Sequence, residues 1–204
     1  MNNINAIKFL SEGTSTISLA KEGEPSNISL EYSYNCFNWR NWNFSGLTIR
    51  QGDILYIRGN NPSGFNSYNK DTKTYKFYKF RIKGDKVSCS GNIMSLIDYK
   101  NLSDVIPCSY CFYGLFENCD ALTAAPELPA TKLTEHCYSF MFSDCTSLEI
   151  APELPAKTLA DSCYSSMFYG CSSLTAKPEL PATKLADYCY SWMFDGCTFL
   201  KDKK

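Results

Sequence analysis

The chain has 204 residues and a formal net charge of −1, with 44% hydrophobic and 20% charged residues. This composition excludes an intrinsically disordered chain, and the near-neutral charge disfavours binding to nucleic acid through bulk positive charge. No apolar run reaches the roughly 18 residues that a membrane-spanning helix needs, so we expect no transmembrane segment. Residues 1–25 also lack the apolar core of a signal peptide.

The charge is distributed unevenly along the chain. Residues 1–100 contain 13 Lys and Arg against 8 Asp and Glu, whereas residues 101–204 contain 7 against 13. Such an asymmetry indicates two units with different surfaces. We therefore predict one domain over residues 1–92 and a second over residues 93–204.

The first predicted domain consists of short segments in which apolar and polar residues alternate, separated by residues typical of turns. A period of two is the pattern of a half-buried β-strand, and several such strands at short spacing indicate a β-sandwich. The predicted strands span residues 16–19, 29–32, 47–49, 54–57 and 76–82, and the polar residues 59–74 are predicted to form a hairpin loop. The run from Leu30 through Trp42 to Arg58 resembles bacterial immunoglobulin-like modules.

A basic and aromatic stretch lies between Lys70 and Lys86. It contains seven Lys and Arg residues interleaved with Tyr and Phe, a combination by which proteins hold single-stranded nucleic acid. Lysines also protect exposed strand edges from pairing with other chains. Because the chain as a whole is slightly acidic, we favour edge protection and expect no nucleic-acid partner.

The second predicted domain contains a repeat of 26 residues. Ala-Pro-Glu-Leu-Pro-Ala occupies residues 125–130 and 151–156, and a variant that begins with lysine occupies residues 177–182. Within each repeat, apolar residues recur at i, i+4 and i+8, as in the segment 159–168, which favours one face of a short helix. A single repeat cannot bury its apolar side, whereas stacked repeats share a continuous core. The predicted fold class is therefore α+β, an N-terminal β-sandwich followed by a short leucine-rich-repeat solenoid of 26-residue coils.

The repeat columns resemble a known family. Met141-Phe142-x-x-Cys145-x-x-Leu148, and the same pattern from Met167, is similar to the BspA-like (Treponema-type) leucine-rich repeat, although Pro-Glu-Leu-Pro replaces the usual strand of that family. The resemblance implies bacterial surface proteins that act in adhesion or recognition. We therefore predict a non-catalytic binding protein at the cell surface or in the extracellular space, with a protein or glycan ligand; a cytoplasmic location is the alternative.

Eleven cysteines stand out in the composition, and eight of them fall in two repeat columns. Cysteine in a leucine-rich coil is typically a small buried hydrophobe, so we predict reduced and shielded thiols, with structural disulfides and a metal site as alternatives. The isolated motif Cys108-Ser109-Tyr110-Cys111 lacks the second pair of ligands that a structural zinc site needs, and redox chemistry is its alternative role. We predict no metal site and no cofactor.

The sequence contains no recognisable set of catalytic residues. His136 is the only histidine, and it occupies a repeat position that holds Ser162 and Tyr188 in the following copies, which indicates a surface residue. The carboxylates follow the repeat and form no local pairs, so the pattern gives no support to glycosidase chemistry. We predict that the chain is not an enzyme; a glycan-active enzyme and a purely structural assembly module are the alternatives.

The column Glu127, Glu153 and Glu179 is the candidate site for a partner. The leucine that follows each glutamate is predicted to point inward, so the three carboxylates are predicted to lie together on the outer face. Such a row favours a basic partner or a cation. The alternative is a solvated face that the glutamates share with the lysines of the same repeats.

The last repeat is more aromatic than its predecessors. Trp192 stands where earlier repeats have Phe or Ser, and Phe199 stands where they have Ser. Apolar surface at the end of a stack marks a contact site, so we predict that this C-terminal coil either frays or packs end to end against a second copy as a homodimer. The alternative is that the two rings fold over the end within one chain.

Overall fold

The alternating pattern of the first half folds into β-strands. The computed structural model describes residues 4–23 and 28–200, and each of the five predicted strand segments overlaps a strand. The ten strands of the described residues are β1 (Ile7–Ser11), β2 (Ser15–Gly23), β3 (Leu30–Ser33), β4 (Arg40–Asn41), β5 (Leu47–Ile49), β6 (Ile54–Gly59), β7 (Ser67–Asn69), β8 (Thr74–Gly84), β9 (Val87–Ser90) and β10 (Leu122–Ala124).

These strands build two sheets that face each other. One sheet has six strands in the order β10-β9-β1-β6-β3-β4, and the other has four in the order β5-β2-β8-β7. The strand pairs within the first half are antiparallel, whereas β10 is contributed by the second half and pairs parallel with β9. The rings of Phe9 on β1 and Phe80 on β8 lie 5.4 Å apart, so the two sheets share one core.

The predicted α+β class is wrong, because the repeats contain no α-helix. Among residues 4–23 and 28–200 the helical structure is limited to a 3₁₀ turn, Ile93–Leu96, which is capped by the Asn92 side chain. The segment 159–168 was expected to be the helix of a leucine-rich coil, but it forms a series of turns. The chain is therefore all-β, and the predicted leucine-rich-repeat solenoid does not describe it.

A left-handed residue at every fourth position prevents the helix. In the second repeat these residues are His136, Phe140 and Asp144, with φ angles of 53°, 56° and 57°. A right-handed helix needs a negative φ at every residue, so each left-handed residue interrupts it. The apolar spacing i, i+4, i+8 thus reflects a four-residue turn and not the 3.6-residue period of a helix. The same series recurs at Tyr110, Gly114 and Asn118, at Ser162, Ser166 and Gly170, and at Tyr188, Trp192 and Gly196.

The repeats stack because alternate backbone N–H groups in these turns bond to the next repeat. The N–H of Ser139 donates within its own turn to His136 (3.2 Å), whereas the N–H of Tyr138 donates to the carbonyl of Cys163 in the following repeat (3.0 Å). In the described chain, every N–H of these turns that bonds to another repeat donates to the carbonyl of a residue 25 positions later. This one-way bonding holds equivalent side chains of successive repeats in register.

The β-sheets close the carbonyl side of the first repeat. Asn66 donates from its backbone N–H to Cys111 O (2.8 Å) and from its side-chain amide to Tyr113 O (2.9 Å). The N–H of Phe80 on β8 donates to Leu115 O at 2.7 Å. The first half therefore occupies the place that a preceding repeat would take.

Two columns of stacked aromatic rings run through the repeats. One column begins at Phe80 of β8, whose ring lies 4.9 Å from Phe116, and continues through successive repeats at 5.5–5.7 Å. The rings of both columns belong to one hydrophobic cluster that includes buried residues of both halves. The domain boundary after residue 92 therefore stays a prediction. The members of the columns in the repeats are Phe116, Phe142, Phe168 and Phe194, and Phe112, Tyr138, Tyr164 and Tyr190.

The cysteine columns consist of free thiols. All eleven cysteines are unpaired and nine are buried. In one column the thiol donates to the carbonyl of a phenylalanine in the preceding repeat, as from Cys145 to Phe116 (3.0 Å) and from Cys197 to Phe168 (3.0 Å). Cysteine thus combines a small apolar volume with a donor that an aliphatic side chain lacks. Burial raises the pKa of the Cys197 thiol to about 11, so this group is protonated at neutral pH.

Candidate functional site

The Pro-Glu-Leu-Pro segments lie side by side on one face of the stack. Proline has no N–H to donate, which limits these segments to isolated bridges such as the one between Asn92 and Glu127. Side chains alternate along an extended segment. Leu128 and Leu154 are accordingly buried at 3% exposure each, whereas Leu180 of the last copy, which was also predicted to point inward, is 40% exposed.

The three candidate glutamates are exposed on this face, and they line two adjoining grooves. The larger groove has a volume of about 530 Å³ and is lined by alanines and prolines, the exposed Ile150, Glu127 and Glu153. The smaller groove, of about 250 Å³, shares Glu153 and adds Glu179 together with prolines of the next copy. The structure therefore brings together the three residues that the sequence singled out. We define the Pro-Glu face as these glutamates and the Pro-Glu-Leu-Pro segments that carry them.

The carboxylates of the Pro-Glu face have no ion-pair partner among the described residues. The lysines that follow them in each repeat are also exposed, and Lys132 and Lys157 line a separate groove of about 480 Å³. An acidic row and a basic row thus run next to each other along the stack without neutralising one another through direct contacts. The acidic row remains free to bind a cationic group from outside.

The basic stretch of the first half is instead engaged with the repeats. Lys79 on β8 is only 11% exposed and lies 2.5 Å from the Glu117 carboxylate and 3.1 Å from Glu22. Lys70 pairs with Glu135 at 2.7 Å, and these hydrogen bonds raise its pKa. The uneven charge distribution of the sequence therefore reflects, in part, complementary surfaces that meet inside the molecule.

His136 is arranged for packing and not for nucleophilic catalysis. Its ring stacks on Tyr110 at 4.6 Å, and its Nδ1 lies 3.1 Å from Ser139 Oγ. The Ser139 hydroxyl is buried and donates its proton to the carbonyl of Ser162 at 2.5 Å. The proton therefore does not point at the imidazole, which then donates to Oγ and cannot act as its base. Burial lowers the pKa of His136, so the ring is neutral at pH 7.

Within the described part of the chain, no group of three or more His, Cys, Asp or Glu side chains is placed to hold a metal ion. No helix of that part is long and apolar enough to cross a membrane.

Comparison of the chain with protein-family models, with curated proteins and with solved structures found no match. The Pro-Glu face offers three solvent-exposed carboxylates, apolar groove walls and a backbone stiffened by proline.

Proposed function

We propose that the chain is a non-catalytic binding protein whose Pro-Glu face recognises an extended basic segment of another protein. The observation that carries the proposal is the row of Glu127, Glu153 and Glu179, three exposed carboxylates without ion-pair partners in the described chain, lining two adjoining grooves. The site lies on repeated segments, so equivalent contacts recur from one copy to the next.

The chemistry of the grooves fits lysine and arginine side chains. These side chains have apolar stems and charged ends, so a stem lies on apolar surface while the charge stays at a wetter edge. In the larger groove the apolar surface comes from prolines, alanines and Ile150, and the opposite charge comes from Glu127 and Glu153. Proline also restricts the backbone before binding, which reduces the entropy lost on association.

The location and kinship of the protein belong to the same proposal. The repeated Met-Phe-x-x-Cys-x-x-Leu columns support kinship with BspA-like repeats, and with it a place at the cell surface or outside the cell. The eleven free thiols support the cytoplasmic alternative, because disulfides form and persist in oxidising compartments. Antibody binding to intact cells of the source organism separates the two: staining only after lysis contradicts the surface location.

Removing the three charges of the Pro-Glu face is expected to weaken binding of a basic peptide about tenfold. The variant is Glu127→Gln, Glu153→Gln and Glu179→Gln, and the estimate takes roughly 0.5 kcal/mol for each exposed ion pair. The probe is a fluorescent peptide of alternating lysine and alanine, and its affinity is measured by anisotropy. Added salt should weaken binding to the native chain and have little effect on the variant.

The matched control removes three exposed carboxylates elsewhere, through Glu12→Gln, Asp71→Asn and Asp195→Asn. It has the same net charge as the triple glutamine variant and should bind the peptide like the native chain once its net-charge effect is allowed for. Equal losses in both variants would show a bulk charge effect and contradict the site. A glycan that binds the native chain and the glutamine variant equally well on an array would also contradict a basic protein ligand.

The apolar surface of the last repeat leads to a prediction about self-association. Trp192 is 69% exposed and Phe199 is 66% exposed, so neither ring folds over the end of the stack as a cover. We expect a homodimer in light scattering at high concentration, and we expect Phe199→Asp to make it monomeric. Phe37→Asp, at a ring that is 83% exposed in the first half, is the control and should leave the dimer intact. A native chain that is monomeric at every accessible concentration overturns this prediction.

A further inference from the structure

Two thiols meet where the first repeat joins the β-sheets. Cys108 is partly buried and Cys111 is buried, and both sulfurs lie against the same residue, Gly64. Between them Tyr110 has a left-handed conformation (φ 61°), which turns the chain and brings both side chains to the same side. Neither thiol belongs to the Pro-Glu face.

The surrounding loop is fitted to these sulfurs. Cys108 donates to the carbonyl of Asn66 at 3.4 Å, and the N–H of Asn66 donates to Cys111 O at 2.8 Å. Gly64 has a φ of 107°, and a Cβ at this position would lie 2.1 Å from Cys108 Sγ and 3.7 Å from Cys111 Sγ. Only glycine leaves room for the two sulfurs here, so the loop and the thiol pair form one packed unit.

We propose that Cys108 and Cys111 form a redox-active dithiol that reacts with small-molecule disulfides. Cys108, the accessible member, is the attacking thiol, and Cys111, which lies behind it, is the resolving thiol. This places a thiol–disulfide site at the joint between the two halves of the protein.

The reaction proceeds in two exchanges. The Cys108 thiolate attacks one sulfur of the small disulfide, which forms a mixed disulfide on Cys108 and releases one small thiol. Cys111 then gives up its proton and attacks the Cys108 sulfur, which releases the second small thiol and leaves a Cys108–Cys111 disulfide. The two protein thiols are oxidised by two electrons, and the small disulfide is reduced to two thiols.

The electrostatics of the pair agree with these roles. The hydrogen bond from Cys111 lowers the pKa of the Cys108 thiol, and burial raises the pKa of Cys111. A partly exposed thiol with a lowered pKa attacks first, whereas a buried thiol reacts only when a mixed disulfide is brought next to it. Burial raises the pKa of Cys137, Cys163 and Cys171 in the repeat columns, and all three are buried, so they should not compete.

The test is incubation of the full chain with oxidised glutathione, followed by mass spectrometry of the intact protein and of its peptides. The native chain is expected to lose two hydrogens and to yield a linked Cys108–Cys111 peptide. Cys111→Ser is expected to stop at the mixed disulfide and to accumulate one glutathione on Cys108. That adduct should form roughly tenfold faster than one on Cys36, a half-exposed cysteine of the first half.

Cys137→Ser is the matched control, because Cys137 occupies the repeat position of Cys111 one copy later and is equally buried. This variant should form the Cys108–Cys111 disulfide at the native rate. The proposal is overturned if Cys111→Ser accumulates no adduct on Cys108, or if Cys36 reacts as fast as Cys108. It is also overturned if the native chain retains glutathione without forming the internal link. Peptide mapping of the native chain shows whether the Cys108–Cys111 disulfide forms, even where a serine variant fails to fold.

Discussion

Replacing Phe116 with alanine is expected to lower the free energy of unfolding by about 3–5 kcal/mol. The Phe116 ring is fully buried, and it contacts aromatic rings of both sheets and of the next repeat. Its centroid lies 4.9 Å from Phe80, 6.4 Å from Phe9 and 5.5 Å from Phe142. The substitution removes buried apolar surface and leaves a cavity at the joint between the halves. Urea unfolding followed by circular dichroism measures the loss.

The control for this prediction is Phe199→Ala, since that ring is 66% exposed and should change stability by less than about 0.5 kcal/mol. Similar stabilities for Phe116→Ala and the native chain would show that the column does not pass through this joint. A single cooperative transition in the native chain that separates into two in Phe116→Ala would identify this ring as a main link between the halves.

Replacing Tyr138 with phenylalanine is expected to raise the free energy of unfolding by about 1–3 kcal/mol. The Tyr138 hydroxyl is buried and has no hydrogen-bond partner among the described residues, so folding removes it from water without compensation. Phe112 occupies the same position in the preceding repeat, which shows that the column accepts a ring without a hydroxyl. Burial raises the pKa of Tyr138, so the hydroxyl is neutral in the folded state and the gain should not vary between about pH 6 and pH 8.

Tyr190→Phe provides the comparison, because this ring belongs to the same column but is only partly buried. The Tyr190 hydroxyl is not a buried group that lacks a hydrogen-bond partner. We therefore expect its loss to change the free energy of unfolding by less than about 0.5 kcal/mol. A destabilised Tyr138→Phe variant in urea unfolding would mean that the hydroxyl has a partner, and the prediction would be wrong.

The strands were predictable because apolar and polar side chains alternate along them, and a period of two residues is specific to a half-buried β-strand. Residues 47–49 and 76–82 were assigned to strands from this pattern and lie in β5 and β8. The repeat was equally visible, but its spacing of four residues was misread as helical. The deciding feature is the left-handed conformation of residues such as Phe140 and Trp192. Bulky residues rarely adopt that conformation, so their identity gave no indication of it.

The candidate site was partly predictable for the same reason. Exposure of Glu127 follows from its position between two prolines, next to a leucine that the core requires. The hydrogen bonds from Asn66 to the first repeat could not be predicted this way, because a single polar residue in a polar loop is not part of any repeating pattern. The exposure of Leu180 was missed because the sequence repeats while the environment changes at the end of the stack.

The hydrogen bonds between the four-residue turns of successive repeats run in one direction, and this bears on whether the protein can polymerise. The last repeat presents donors: the N–H groups of Tyr188, Trp192 and Gly196, among others, have no backbone partner in the described chain. Two copies related by a two-fold axis would set donors against donors, so a dimer through this end must be held by side chains such as Phe199. Head-to-tail fibre growth would need a free row of carbonyls, and the molecule's own sheets already occupy that row, through Asn66 among others. The β-sheets therefore prevent head-to-tail association through the carbonyl groups of the first repeat.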